Sequence, residues 1–354
     1  MKKFLVILFL VLKSLNLAAS PLEIDEAWNK VSDPLIMRSD FVYLFSYLPL
    51  SGRITDGKKY WSGDYWPLRD GNINYRWNAR VKTGFDLKSP TRDELLRMPP
   101  RDISELSPSE KYDLLRGRYD YPLKAEVAKL ANKDALIWEG ICHGWAPATI
   151  NHNEPLPKTL RNPDGVEIPF GSADIKGLLS YYYAHGFNVA TTHQMGLRCF
   201  QDNASTTTQC NNDLNAGAFH IVLANMIGLQ NRGFIGDMES TSQVWNHPIQ
   251  SYASTVVGYA RPAVRSAYGT EVVVRLKTTV WFSTEVASTW EATNGTLNQR
   301  FRSRDFEYDL ELNTYGDIIG GEWVSKDRPD FLWLKAKPEA YAGMFSDLAR
   351  LLDD

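Results

Sequence analysis

Cys142 stands in the run WEGICHGWAPA (Trp138 to Ala148), between Gly140 and Gly144 and just ahead of a helix-permissive stretch. Glycines before a helix let the backbone turn tightly and approach a ligand. A thiol at a helix N-terminus feels the positive end of the dipole, which favours the thiolate. Cys142 is therefore the candidate nucleophile, and its backbone N–H a candidate oxyanion donor. The opposing reading is a buried structural cysteine. A nucleophilic thiol needs a base, and the base needs an orienter. Of the six histidines, His220 is the candidate base, because FHIVLA (219–224) reads as a strand that His220 would open at a cleft edge. Asp237 follows 17 residues later at the end of the next apparent strand, 233–238, and is the candidate orienter. Asn246, in VWNHP, is the alternative orienter. His143 adjoins Cys142 and would point elsewhere on a helix, and His152, His185 and His193 read as structural or solvated. No spacing of metal ligands matches a known site. The sequence calls for no cofactor and leaves calcium dependence open.

The elements around these residues fall into two groups. Thr91 and Glu94 form a capping box, as do Ser107 and Glu110, each opening a helix. Residues 123–132 read as helical, and Ser172 caps a further helix that ends at Gly186. The last third alternates: Val272, Val274, Leu276, Thr278, Val280 and Phe282 share one side of a strand, as do Phe306, Tyr308, Leu310 and Leu312. A short helix is expected from Pro338. Residues 55–80, dense in Trp, Tyr and Gly, read as a packed irregular region. Helices first and antiparallel strands later indicate an α+β protein: a helical half packed on a mostly antiparallel sheet, with the Cys-His-Asp arrangement in the cleft between them.

The compartment follows from the N-terminus. Lys2 and Lys3, the apolar run Phe4 to Leu12 and the small residues Ala18, Ala19 and Ser20 have the layout of a secretory signal peptide over 1–20. The expected product is secreted or periplasmic, with no membrane association after cleavage. Residues 21–60 are read as either a pro-segment or part of the fold, and 61–354 as the catalytic domain. Removing 1–20 takes three lysines from the 39 basic residues and none of the 42 acidic ones, leaving a net charge of −6. Such a surface argues against nucleic-acid binding. Three cysteines are too few for a disulfide scaffold. In an oxidising compartment Cys199 and Cys210, which bracket a polar loop, are expected to pair and leave Cys142 free.

With these residues in place the chain resembles the elicitor transglutaminases, secreted enzymes of plant pathogens. The resemblance rests on GICHGWAPA around Cys142, GAFHIVLAN around His220, VWNHP at Val244 to Pro248, WSGDYWP followed by INYRW, and GGEW near Glu322, and it covers roughly 60–335. The VWNHPIQ run stands where that family carries its plant-perceived VWNQPVR. The resemblance implies a protein-glutamine γ-glutamyltransferase that moves an acyl group from protein glutamine to lysine or another primary amine. It maps the nucleophile onto Cys142 and the base onto His220. The alternatives are a papain-like cysteine protease or amidase using the same residues, and a non-catalytic surface or elicitor protein.

Overall fold

The computed structural model describes residues 28–55, 60–187, 192–198 and 214–352. The expected signal peptide and the expected Cys199–Cys210 pair lie outside the described residues.

Seven α-helices and ten strands are described: α1 (Arg92–Leu95), α2 (Pro100–Ser104), α3 (Pro108–Leu115), α4 (Pro122–Ala128), α5 (Cys142–Asn151), α6 (Ser172–Tyr181) and α7 (Ala216–Leu223), with β1 (Ser51–Arg53), β2 (Lys158–Arg161), β3 (Glu167–Phe170), β4 (Thr192–Gly196), β5 (Phe234–Asp237), β6 (Asn246–Ala260), β7 (Val272–Ser283), β8 (Phe301–Leu312), β9 (Ile318–Trp323) and β10 (Phe331–Lys335). The main sheet has eight strands in the order β4-β10-β5-β6-β7-β8-β9, with β1 against β6. All of its pairings are antiparallel. The protein is α+β.

Local chemistry explains most helix starts. Both capping boxes form: Thr91 with Glu94 and Ser107 with Glu110. Proline occupies the first helical position of α2, α3 and α4, where its missing N–H costs nothing. At α6 the cap is Gly171 rather than Ser172, and the Asp174 carboxylate accepts the Gly171 N–H at 2.7 Å. Beyond Pro338 the described residues make two short 3₁₀ turns in place of the expected helix.

A larger expectation also fails. The FHIVLA run is not a strand but the body of α7, which continues as a π-helical turn over Ala224–Leu229. Asn215 caps it by accepting the N–H groups of Gly217 and Ala218. Every residue of α7 is buried, so the run shows no polar face and no 3.6-residue period. A fully buried helix and a fully buried strand look alike over so few residues.

The sheet separates two cores. On one face lie α3, α5 and α6, with Trp61, Trp66 and Trp145 packed against Ile235, Phe331 and Trp333 of the sheet. On the other lies α7, against Phe234, Ile249, Leu276, Tyr308 and Leu332. Trp28, Met37, Phe41, Leu48 and Tyr60 join the second core, so residues 28–55 and Tyr60 are built into the fold. Charge is buried as well as carbon. Lys111 and Asp174, both fully buried, pair at 2.6 Å, and Asp174 also accepts the Trp77 indole N–H at 2.8 Å. Among the described residues no helix is long and apolar enough to cross a membrane.

α5 is seated by close contact. A Cβ added at Gly144 would meet the Ser180 carbonyl oxygen of α6 at 1.9 Å. Gly144→Ala should therefore push the two helices apart and destabilise the protein by about 1–3 kcal/mol, the usual cost of overpacking. Urea denaturation of the variant checks this; an unchanged midpoint would refute the tight α5–α6 contact.

Candidate functional site

Cys142 is the first residue of α5, as the glycines around it suggest. Its thiol is 4% exposed and it is the free cysteine among the described residues. Sγ donates to the Val244 carbonyl at 3.7 Å and accepts from Asn246 Nδ2 at 3.5 Å. The Asn246 amide is oriented by Trp333, whose indole N–H donates to its Oδ1 at 2.8 Å. The NH2 group therefore faces the sulfur.

The pleat of the sheet decides which other groups can join. Ile235 packs in the α5 core and Phe234 in the α7 core, so Asp237 shares the α5 face with Ile235. Asp237 pairs in register with Asn246 on β6 and with Phe331 on β10. The structure thus brings Cys142, Asn246 and Asp237 to one face. Asp237 is fully buried and neither carboxyl oxygen has a hydrogen-bond partner. Burial, reinforced by the neighbouring Asp330 charge, pushes its pKa up to about 9, so it carries its proton at neutral pH.

His220 is elsewhere. It sits in the middle of α7, on the opposite face of the sheet from Cys142. Its Nδ1 bonds the Tyr308 hydroxyl at 2.8 Å, and its ring lies 6.0 Å from that of Phe45. It is 0% exposed, and burial depresses its pKa to about 3, which keeps it neutral. The expected position at a strand start therefore fails, and with it the contact with Cys142, because the run is helical and docks beneath the sheet. No other histidine touches the thiol. His143 meets His185 edge to face at 5.8 Å, His152 Nε2 bonds Tyr183 at 3.0 Å, and His193 Nδ1 bonds the Ile36 carbonyl at 2.8 Å. His247 alternates with Asn246 and stacks on Phe282 at 4.6 Å.

The thiol's acidity departs from expectation as well. A helix N-terminus favours thiolate by about 0.3–1 kcal/mol at an exposed site. Stripping water from a charge costs several kcal/mol. Burial wins: the Cys142 pKa is pushed up to about 11 against the lowering effect of Asn246, with the Glu285 and Asp237 charges adding to the rise.

Some of this was visible in the sequence and some was not. Asn246 carried a signal, a polar side chain at a strand start beside a proline. Val244 contributes only its carbonyl, and Trp333 lies nearly 200 residues from Cys142 with no local pattern to mark it. Among the described residues no group of three or more His, Cys, Asp or Glu side chains is arranged to hold a metal ion.

Because only the thiolate alkylates readily, iodoacetamide labelling of Cys142 in the folded protein should be slow at pH 7 and rise about tenfold per pH unit towards pH 11. Asn246→Ala removes a donor to the sulfur and should move the midpoint higher still. Mass spectrometry of labelled protein across pH measures both. A midpoint below the ordinary thiol value of about 8.5 would refute the dominance of burial.

Comparison with known proteins places this geometry. The transglutaminase elicitor family model matches residues 129–349, which contain Cys142, Asp237 and Asn246. The crystal structure of the GP42 transglutaminase from Phytophthora sojae superposes with a TM-score of 0.65 and 24% sequence identity, over 90% of this chain and 94% of that one. No curated protein matches the chain. The fold is that of GP42, and the family match spans more than half of the residues: the chain belongs to the transglutaminase elicitor family.

Proposed function

We propose that the protein is a protein-glutamine γ-glutamyltransferase acting outside the cytoplasm, with Cys142 as its nucleophile. The observation that carries this reading is the thiol at the first turn of α5, held by the oriented Asn246 amide, with Asp237 paired in register with Asn246. Sγ attacks the γ-carboxamide carbon of a protein glutamine, the C–N bond breaks, and ammonia leaves with the thiol proton. The oxyanion that forms on the way is met by the backbone N–H of Cys142 at the start of α5, ahead of the Gly144 and Trp145 N–H groups that bond the Ile141 carbonyl, and by Asn246 Nδ2. The thioester carbon is then attacked by a neutral lysine amine, giving an isopeptide bond, or by water, giving glutamate; the C–S bond breaks and Sγ regains a proton from the attacking group. Asp237 is the candidate proton relay, since it shares a face with the sulfur and can both hold and release a proton. Its expected part as orienter of His220 falls with the position of that histidine.

A second reading is a non-catalytic surface protein of the same fold. The observation favouring it is that Cys142 has Val244 and Asn246 as its polar partners and no histidine among them.

One set of variants separates these. Cys142→Ala should abolish both ammonia release and incorporation of a labelled amine into a glutamine-rich protein. Asp237→Asn should lower turnover by about 10²–10⁴-fold, the usual contribution of a positioned acid or base. His220→Ala should instead lower stability by about 2–4 kcal/mol by opening a cavity, with turnover per folded molecule retained. Loss of turnover in folded His220→Ala would restore that histidine to the chemistry. Absence of ammonia release from the wild type would favour the non-catalytic reading.

A further inference from the structure

A cavity of about 400 Å³ lies beside the Cys142 site, lined by Asp64, Tyr65, Asp70, Trp77, Lys82 and Glu285 among others. Its volume is that of a small-ligand pocket. Tyr65, in its lining, links it to the residues around the thiol. The Tyr65 carbonyl accepts the N–H of Ile141, the residue before Cys142, at 2.7 Å. The Tyr65 ring meets the Trp245 ring edge-on at 5.4 Å, next to Asn246. The charge of Glu285 is felt at the sulfur.

The lining is built rather than incidental. Asp64 is held by the Trp66 N–H at 3.0 Å and the Ser288 hydroxyl at 2.9 Å. Trp77 is pinned through its indole to the buried Asp174. Glu285 is different: its Oε1 is buried and has no hydrogen-bond partner. It faces His247 Nδ1 at 3.7 Å, beyond hydrogen-bond reach, and that nitrogen is buried and unpartnered too. Burial lowers the His247 pKa to about 3, so the histidine is neutral and supplies no countercharge to Glu285. Burial raises the Glu285 pKa to about 7 against the lowering effect of the Arg302 charge, so Glu285 is mostly ionised at pH 8; burial raises the Asp64 pKa as well, and Lys82 is exposed among the lining residues.

Three carboxylates, one lysine and three aromatic rings (Tyr65, Tyr75 and Trp77) suit one kind of guest. A primary ammonium finds negative charge and ring faces, and the alkyl stem behind it finds apolar walls. We propose that this cavity is the acceptor subsite for an alkylammonium group, a lysine side chain or a diamine, bound beside Cys142. The proposal rests on the acyl-transfer reading above and adds where the acceptor binds and why a cation is preferred: the ammonium docks, passes its proton to a lining carboxylate, and the free amine then attacks the thioester. Glu285, whose side chain is 14% exposed, is the anchor, and Lys82 is the charge that opposes binding.

The test compares two acceptors on one glutamine protein: putrescine, a cation, and hydroxylamine, which is neutral at pH 8. The readout is the ratio of their kcat/KM values in the full chain. Asp70→Asn should lower the putrescine-to-hydroxylamine ratio about threefold, in line with a screened charge pair. Glu285→Gln should lower it about tenfold, as expected for a less screened carboxylate. Lys82→Glu should raise it about threefold, a gain that misfolding cannot mimic. A ratio unchanged in all three variants, with ammonia still released by the wild type, overturns the subsite and leaves the acyl-transfer reading standing. A wild type that releases no ammonia overturns both.

Discussion

The two-residue pleat of the central strands is the constraint on which the site depends. Successive side chains of β5 point to opposite faces, so Ile235 and Asp237 belong with α5 while Phe234 belongs with α7. The register Asp237 to Asn246 then fixes the partner on β6, and Trp333 on β10 locks that partner's amide. A slip of one residue in β6 would exchange its two faces. It would place His247 beneath the thiol and send Asn246 into the opposite core. The eight-stranded sheet is thus more than a support, because its parity selects which polar groups Cys142 meets.

The helices set distance where the sheet sets identity. α5 comes so close to α6 that only glycine fits at position 144, and Gly140 would likewise bring a Cβ to 2.4 Å from the Tyr65 carbonyl. Those two contacts, one on each side of Cys142, hold the first turn of α5 between α6 and the aromatic loop. The same closeness buries the sulfur, so the thiol is well positioned and poorly ionised. For chemistry at neutral pH the proton must therefore leave during the reaction rather than before it. That fits a site containing a protonated Asp237 and a hydrogen-bonding amide better than one containing a preformed thiolate–imidazolium pair.

Much of the fold was legible from local patterns, and the limits of that reading are physical. Thr91, Glu94, Ser107 and Glu110 act within one helical turn, so their spacing alone announces the helices. The alternation from Val272 to Phe282 reads as a strand because one face is buried in the α7 core and the other is not. Residues 219–224 carry no such contrast, since both candidate structures would be buried on all sides. The cue that could have settled it was Asn215, an N-cap residue directly ahead of the run. Asn246 was visible as an alternative to Asp237; their joint presence on one face was not, because it depends on a pairing register that no single strand encodes.

The position of His220 also bears on how a family signature should be read. Three runs carried the resemblance most strongly, and they divide between the two faces of the sheet. The Cys142 run and VWNHP meet, through the Val244 carbonyl and the Asn246 side chain. The GAFHIVLAN run does not join them. Its Gly217 lets α7 approach β9 so closely that a Cβ would lie 2.3 Å from the Gly320 carbonyl, and its His220 is tied to Tyr308 of β8. Tyr308 in turn bonds Thr278 of β7 at 2.8 Å. A buried hydrogen-bond chain of this kind fixes the relative position of helix and strands, because breaking any member strands a polar group without water. A histidine in a shared motif can therefore mark the docking of a helix as well as a proton transfer. Here His220 lies at such a docking contact: its imidazole bonds Tyr308 beneath the sheet whose other face carries Asn246 and Asp237.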